Sequence, residues 1–155
     1  MLNDLFLVFF SSLIWIIWSV IIGFLVNKIS VNNLKKLRLI RLSEATSLRI
    51  QRLTHIKSWK DWLPEAGAMF KGGKSKRNLA SMSTRALRDL RLETLRAELA
   101  HYLFPLILPI FFVFNPWYLT LAMAVYAFFA NFPFILIQRY NRSRLDRILL
   151  MREKK

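Results

Sequence analysis

The sequence predicts an all-α integral membrane protein: a single domain, residues 1–155, with about three transmembrane helices and a basic amphipathic region at the cytoplasmic interface. Three observations carry this. Apolar runs occupy residues 5–26, 99–114 and 117–137. All 24 Lys and Arg residues fall in two blocks, 28–96 and 139–155. Between and before them charge almost vanishes, for residues 1–27 carry only Asp4, and residues 99–138 carry no Lys, Arg, Asp or Glu. Basic residues are retained on the cytoplasmic side of membrane spans, so this division gives class and topology together.

The first run, residues 5–26, is long enough to cross about 30 Å of hydrocarbon at about 1.5 Å per residue. It lacks a basic leading region, and bulky Ile21, Ile22, Phe24 and Leu25 stand where a cleavable signal would have small residues. It reads as a retained anchor, with Lys28 opening the positive flank and the amino terminus outside. Trp15 and Trp18 sit mid-span, a position that fits helix packing or a ligand groove, with packing favoured.

Residues 34–53 alternate Leu34, Leu37 and Leu48 with Lys35, Lys36, Arg38, Arg41, Arg49 and Arg52. That is the composition of a helix lying in the interface with its cations snorkelling to headgroups. Ile56, Trp59 and Leu63 continue an apolar face, with Lys57, Lys60 and Asp61 turned away from it. Pro64 ends the element. A loop with Gly67, Gly72, Gly73, Lys71, Lys74, Lys76 and Arg77 follows. Glycines let backbone N–H groups approach a phosphate, but GGKSK lacks P-loop spacing and follows no strand. A linker and a phosphate-binding loop both remain open there, the linker favoured on spacing.

From Leu79 to Tyr102 the chain is free of Gly and Pro and reads as a helix that runs into the second span, which Pro105 and Pro109 are expected to kink. Asn115-Pro116 makes an uncharged outer hairpin. The third span is expected to be interrupted by Asn131 and Pro133, and residues 139–155 form a cytoplasmic tail.

Composition excludes some chemistry. The chain has no Cys, which removes disulfides, thiolate catalysis and Cys-based zinc. With two His, a multi-histidine metal site is not expected, and no metal or bound cofactor is called for. A net charge of +15 suits nucleic acid in principle, but that reading leaves the apolar runs to be explained as a soluble core. Membrane lipids, and not nucleic acid, are the expected partners of the basic blocks.

His101 is the residue best suited to chemistry, since imidazole is the usual general base near neutral pH. Arg91, Thr94, Glu98 and His101 fall within an arc of about 80° on one helix face. Glu98 and His101 are i, i+3 neighbours, so the carboxylate is expected to orient the ring. A polar helix end with routine intrahelical pairs is the plainer alternative. His55 and Asp61 do not show the HxxxxD spacing of glycerophosphate-type acyltransferases, and His55 reads as an interfacial residue. Asn131 needs a partner within hydrocarbon, either another helix or the polar part of a substrate.

Several segments together resemble the glycosyl-4,4′-diaponeurosporenoate acyltransferase family, which completes staphyloxanthin-type carotenoids. They are IKSWKDWLPEAGAMFKGG from Ile56 with the following Lys76, ETLRAELAH at 93–101, and NFPFILIQRYNRSR at 131–144. KSWKDWLP fits the KWKD-x-LP pattern with Ser58 as an additional residue. The resemblance implies transfer of a fatty acyl group, from acyl-CoA or an acyl carrier protein thioester, to a sugar hydroxyl of a glycosylated carotenoid in the cell membrane. From side-chain chemistry, His101 and Glu98 are then the expected catalytic pair. Lys57, Trp59, Lys60, Asp61, Lys76, Arg91, Asn131, Gln138, Arg139, Asn141 and Arg142 are the expected donor- and substrate-binding residues. A lipid-modifying enzyme with another hydroxylated acceptor, and a non-catalytic adaptor docking anionic lipid or an acidic partner, are the rival readings.

Overall fold

A computed structural model describes residues 2–36, 44–62, 79 and 82–154, and all regular structure among them is helical. Helix α1 is Leu2–Lys28, α2 is Val31–Lys36, and α3 is Glu44–Thr54. Helix α4 is the single turn Ile56–Trp59, extended by a 3₁₀ turn, Lys60–Trp62. Helix α5 is Thr84–Leu103, a 3₁₀ turn covers Phe104–Ile107, α6 is Leu108–Phe114 and α7 is Trp117–Glu153. Among the described residues three stretches are long and apolar enough to cross a membrane: Asn3–Lys28, Thr84–Phe114 and Trp117–Glu153. They match the three apolar runs of the sequence, and the chain is a membrane protein.

Helix α1 leans on the others along a narrow seam. Ser11, Trp15, Ile22 and Val26 are buried, while Phe6, Phe9, Ile16, Ile17, Val20 and Phe24 are exposed. Steps of four, seven and four residues keep one stripe inward, and the rest is apolar surface suited to lipid. Trp15 stacks on Phe104 at 4.4 Å between ring centres and meets Phe111 at 5.4 Å. The mid-span tryptophans therefore serve helix packing.

Leu79 does not open the helix. Ser83 is extended and its hydroxyl accepts the Ala86 N–H at 3.2 Å, so α5 starts at Thr84 behind an N-cap. The expected disturbance at Pro105 and Pro109 is a local tightening to 3₁₀. There the Leu108 N–H bonds the Pro105 carbonyl, where a continued α-helix would have used that of Phe104. The Trp18 indole donates to the Phe104 carbonyl at 3.0 Å. A backbone acceptor freed inside an apolar layer thus finds a partner from another helix.

Helix α7 corrects one expectation: it runs unbroken for 37 residues through both Asn131 and Pro133. Proline removes one backbone bond, but a helix within hydrocarbon has no water to exchange it for, so the remaining ladder holds. At about 1.5 Å per residue the helix is about 55 Å long, which exceeds the hydrocarbon by about 25 Å. Its basic end projects beyond the span. Along it α5 packs antiparallel, with Leu87 and Leu90 against Leu145 and Leu149 and with Leu79 completing the cluster. Helices α3 and α4 dock elsewhere on α7, through Ile56 against Leu136, Ile137 and Tyr140. The Gln51 amide also donates to the Ser143 hydroxyl at 2.7 Å. Residues 37–43 of the expected interfacial helix, and the Gly-rich basic loop at 63–78, lie outside the described residues.

Candidate active site

The stripe predicted on α5 is the face that meets α7. Thr94 and Glu98 are fully buried, Arg91 and His101 half-buried. Arg91 pairs with Asp146 of α7, and the Thr94 hydroxyl donates to the Arg91 carbonyl at 2.7 Å.

Glu98 is not the partner of His101, which corrects the expected dyad. Its Oε1 takes the Arg139 Nε at 2.6 Å and its Oε2 takes the Arg142 Nη1. Arg142 is almost as buried as the carboxylate, with 8% of its side chain exposed. The physical reason is choice of partner. Two guanidiniums from a neighbouring helix satisfy a buried carboxylate far better than a half-buried imidazole on its own helix. Arg139 also donates to the Tyr102 hydroxyl and stands over that ring, 5.8 Å from its centre. The outcome is a clamp joining α5 to α7, with two positive groups against one negative among the described residues.

His101 lies one turn further into the apolar layer. Its Nδ1 is 2.9 Å from the Asn131 Oδ1, and its ring lies flat on Phe134, centres 5.1 Å apart and planes 6° apart. The Asn131 Nδ2 donates to the Ala127 carbonyl at 2.7 Å. The helix-to-helix role favoured for Asn131 therefore holds, and its partner is the candidate base itself.

The other predicted residues divide between two faces of α7. Lys60 stands over the Tyr140 ring at 5.8 Å, and Arg144 is 5.7 Å from the same ring, so Lys60 turns toward α7 and not away from it. Trp59 is half-buried, and its indole closes the end of α3 by donating to the Thr54 carbonyl at 2.8 Å. Lys57 is exposed, Gln138 half-buried and Asn141 buried. Lys76 and the side chain of Asp61 lie outside the described residues. His55 occupies the turn between α3 and α4 with a positive φ of 47°, exposed, as expected of a surface residue. Among the described residues no group of three or more His, Asp or Glu is placed to hold a metal ion.

Three participants were not foreseen: Tyr102 in the clamp, Phe134 beneath the imidazole, and Asp146 against Arg91. A signal for Phe134 exists. Asn131, Phe134, Gln138, Arg142 and Leu145 recur at three- and four-residue steps, a second stripe that complements Arg91, Thr94, Glu98 and His101.

A family model described as glycosyl-4,4′-diaponeurosporenoate acyltransferase matches residues 35–151, three quarters of the chain and all of the clamp and the His101 site. The chain belongs to this family. Curated relatives carry the same name. One from Staphylococcus haemolyticus (strain JCSC1435) is 36% identical over 104 residues, covering 67% of this chain and 60% of the relative. One from Staphylococcus aureus (strain Newman) is 32% identical over 103 residues, covering 65% and 61%. A third, from Staphylococcus aureus (strain bovine RF122 / ET3-1), is 29% identical over 146 residues and covers 91% and 87%. The chain thus spans about 60% of the length of the first two relatives in those matches. No solved structure matches it.

Proposed function

We propose that the chain is a membrane O-acyltransferase that esterifies a sugar hydroxyl of a glycosylated carotenoid, with His101 as general base. The observation that carries the chemical part is the placement of His101. The imidazole is held on Phe134 and Asn131 by one edge, at the level where the basic block gives way to uncharged span. One ring nitrogen remains to meet a hydroxyl. Family membership supports the acceptor class, since the relatives' name specifies a glycosylated diaponeurosporenoate.

The reaction balances without a cofactor. The sugar O–H gives its proton to the imidazole as its oxygen attacks the thioester carbonyl. A tetrahedral oxyanion forms, the C–S bond breaks, and the imidazolium returns the proton to the departing thiolate. Products are the ester and a free thiol. Among the described residues the clamp beside His101 sets two guanidiniums against one carboxylate at the site's cytoplasmic rim. That field suits both the oxyanion and the phosphates of an acyl-CoA or an acyl carrier protein. The amino terminus is outside and both basic blocks are cytoplasmic, the side from which a thioester donor arrives. Exposed Phe and Trp side chains on the spans suit the acyl and polyene chains.

The test is expression in cells that accumulate the glycosylated carotenoid. A mass gain of one acyl chain on that lipid, absent with His101→Gln at equal protein level, supports the proposal. The same mass gain with His101→Gln overturns the role of His101, and no gain with the natural chain overturns the activity.

A further inference from the structure

We infer that Asn131 is the positioning residue that selects the catalytic tautomer of His101; the inference rests on His101 being the base. Asn131 is buried, 6% exposed, so its amide must be satisfied by protein. Its Nδ2 lies 2.7 Å from the Ala127 carbonyl, a distance at which only an N–H is tolerable. The amide is thereby prevented from flipping, and its oxygen must face the imidazole. A carbonyl oxygen has no proton to give, so the His101 Nδ1, 2.9 Å away, has to be the donor. Nε2 is then the bare nitrogen, directed away from Asn131 and able to accept a hydroxyl proton. Phe134, stacked on the ring face, limits rotation about the remaining bond.

This is the logic by which the third member of a hydrolytic triad serves its histidine, with a neutral amide in the carboxylate's place. In an apolar layer the substitution has a reason. An amide orients the ring without bringing an unpaired charge into hydrocarbon, and Glu98, the sole buried carboxylate among the described residues, is committed to Arg139 and Arg142.

Two variants separate positioning from plain packing. Asn131→Asp keeps an oxygen acceptor for Nδ1–H but loses the donation to Ala127. Asn131→Leu keeps the volume and loses both. If Asn131 orients the ring, Asn131→Leu lowers acyl transfer at least about tenfold, and Asn131→Asp, which keeps the acceptor but sets an oxygen against the Ala127 carbonyl, lowers it clearly less. If its role is the bond to Ala127, both variants lose activity alike, and the inference is overturned. A spectroscopic readout is independent of turnover. The chain has two histidines, and His55→Asn suits the left-handed turn, leaving His101 alone for ¹⁵N imidazole spectra of the full chain in nanodiscs. The expected spectrum is a protonated Nδ1 and a bare Nε2, lost to a mixture in Asn131→Leu. A protonated Nε2 in the natural sequence overturns the inference. Full activity of His101→Gln would instead remove the base itself, while the spectra still report on the tautomer, so the two failures are distinguishable.

Discussion

Replacing Glu98 by Gln preserves shape and removes one charge, and its cost can be worked from the clamp. The carboxylate is fully buried and accepts from Arg139 at 2.6 Å and from Arg142 on its other oxygen. Each charge-assisted bond contributes about 1.5–3 kcal/mol. A glutamine oxygen can serve one guanidinium, while its N–H groups face the other. Removing one member of a buried ion cluster costs about 3–5 kcal/mol, because the charges left behind are uncompensated. For a chain of this size 1 kcal/mol moves the melting temperature by about 2–4 °C, so Glu98→Gln should melt about 6–20 °C lower. Thermal unfolding of the full chain in one detergent, followed by tryptophan fluorescence, reads this directly. The double variant Glu98→Gln/Arg142→Gln should lose less than the sum of the singles, with a coupling above about 1 kcal/mol. A melting temperature within about 2 °C of the natural chain would falsify the clamp as the principal joint between α5 and α7.

Two further outcomes concern topology and the span. Because the chain has no cysteine, single substitutions report sidedness cleanly. In intact cells a membrane-impermeant maleimide should label Trp117→Cys and leave Arg147→Cys unlabelled until lysis; the reverse pattern contradicts the orientation. Trp18→Phe keeps an aromatic ring but strands the Phe104 carbonyl. It should cost about 1 kcal/mol, a fall of about 2–4 °C in melting temperature, and an unchanged value would mean that carbonyl finds another donor.

The spans were legible in the sequence because charge and hydropathy are properties of single stretches. Residues 5–26 need no partner to declare themselves, and the helix α1 that contains them is the one described. The stripe of Arg91, Thr94, Glu98 and His101 was legible too, as periodicity alone places it on one face. What the stripe would touch was not. Glu98 and His101 are neighbours along one helix, and nothing local reveals that the antiparallel α7 brings Arg139 and Arg142 to the carboxylate and Asn131 to the ring. Pairing across helices depends on register, which the sequence encodes only through the match of two stripes. Pro133 misled for a different reason. Its cost as a helix breaker is set by competition with water, and α7 crosses a layer where water does not compete.

His101 as proton acceptor is tested most directly by the rate of ester formation in nanodiscs, from a glycosylated carotenoid and an acyl thioester, comparing the natural chain with His101→Gln. Loss of at least about a hundredfold in rate, with melting temperature held within about 2 °C, is the expected result. A variant that folds alike and transfers acyl groups at the natural rate would contradict it.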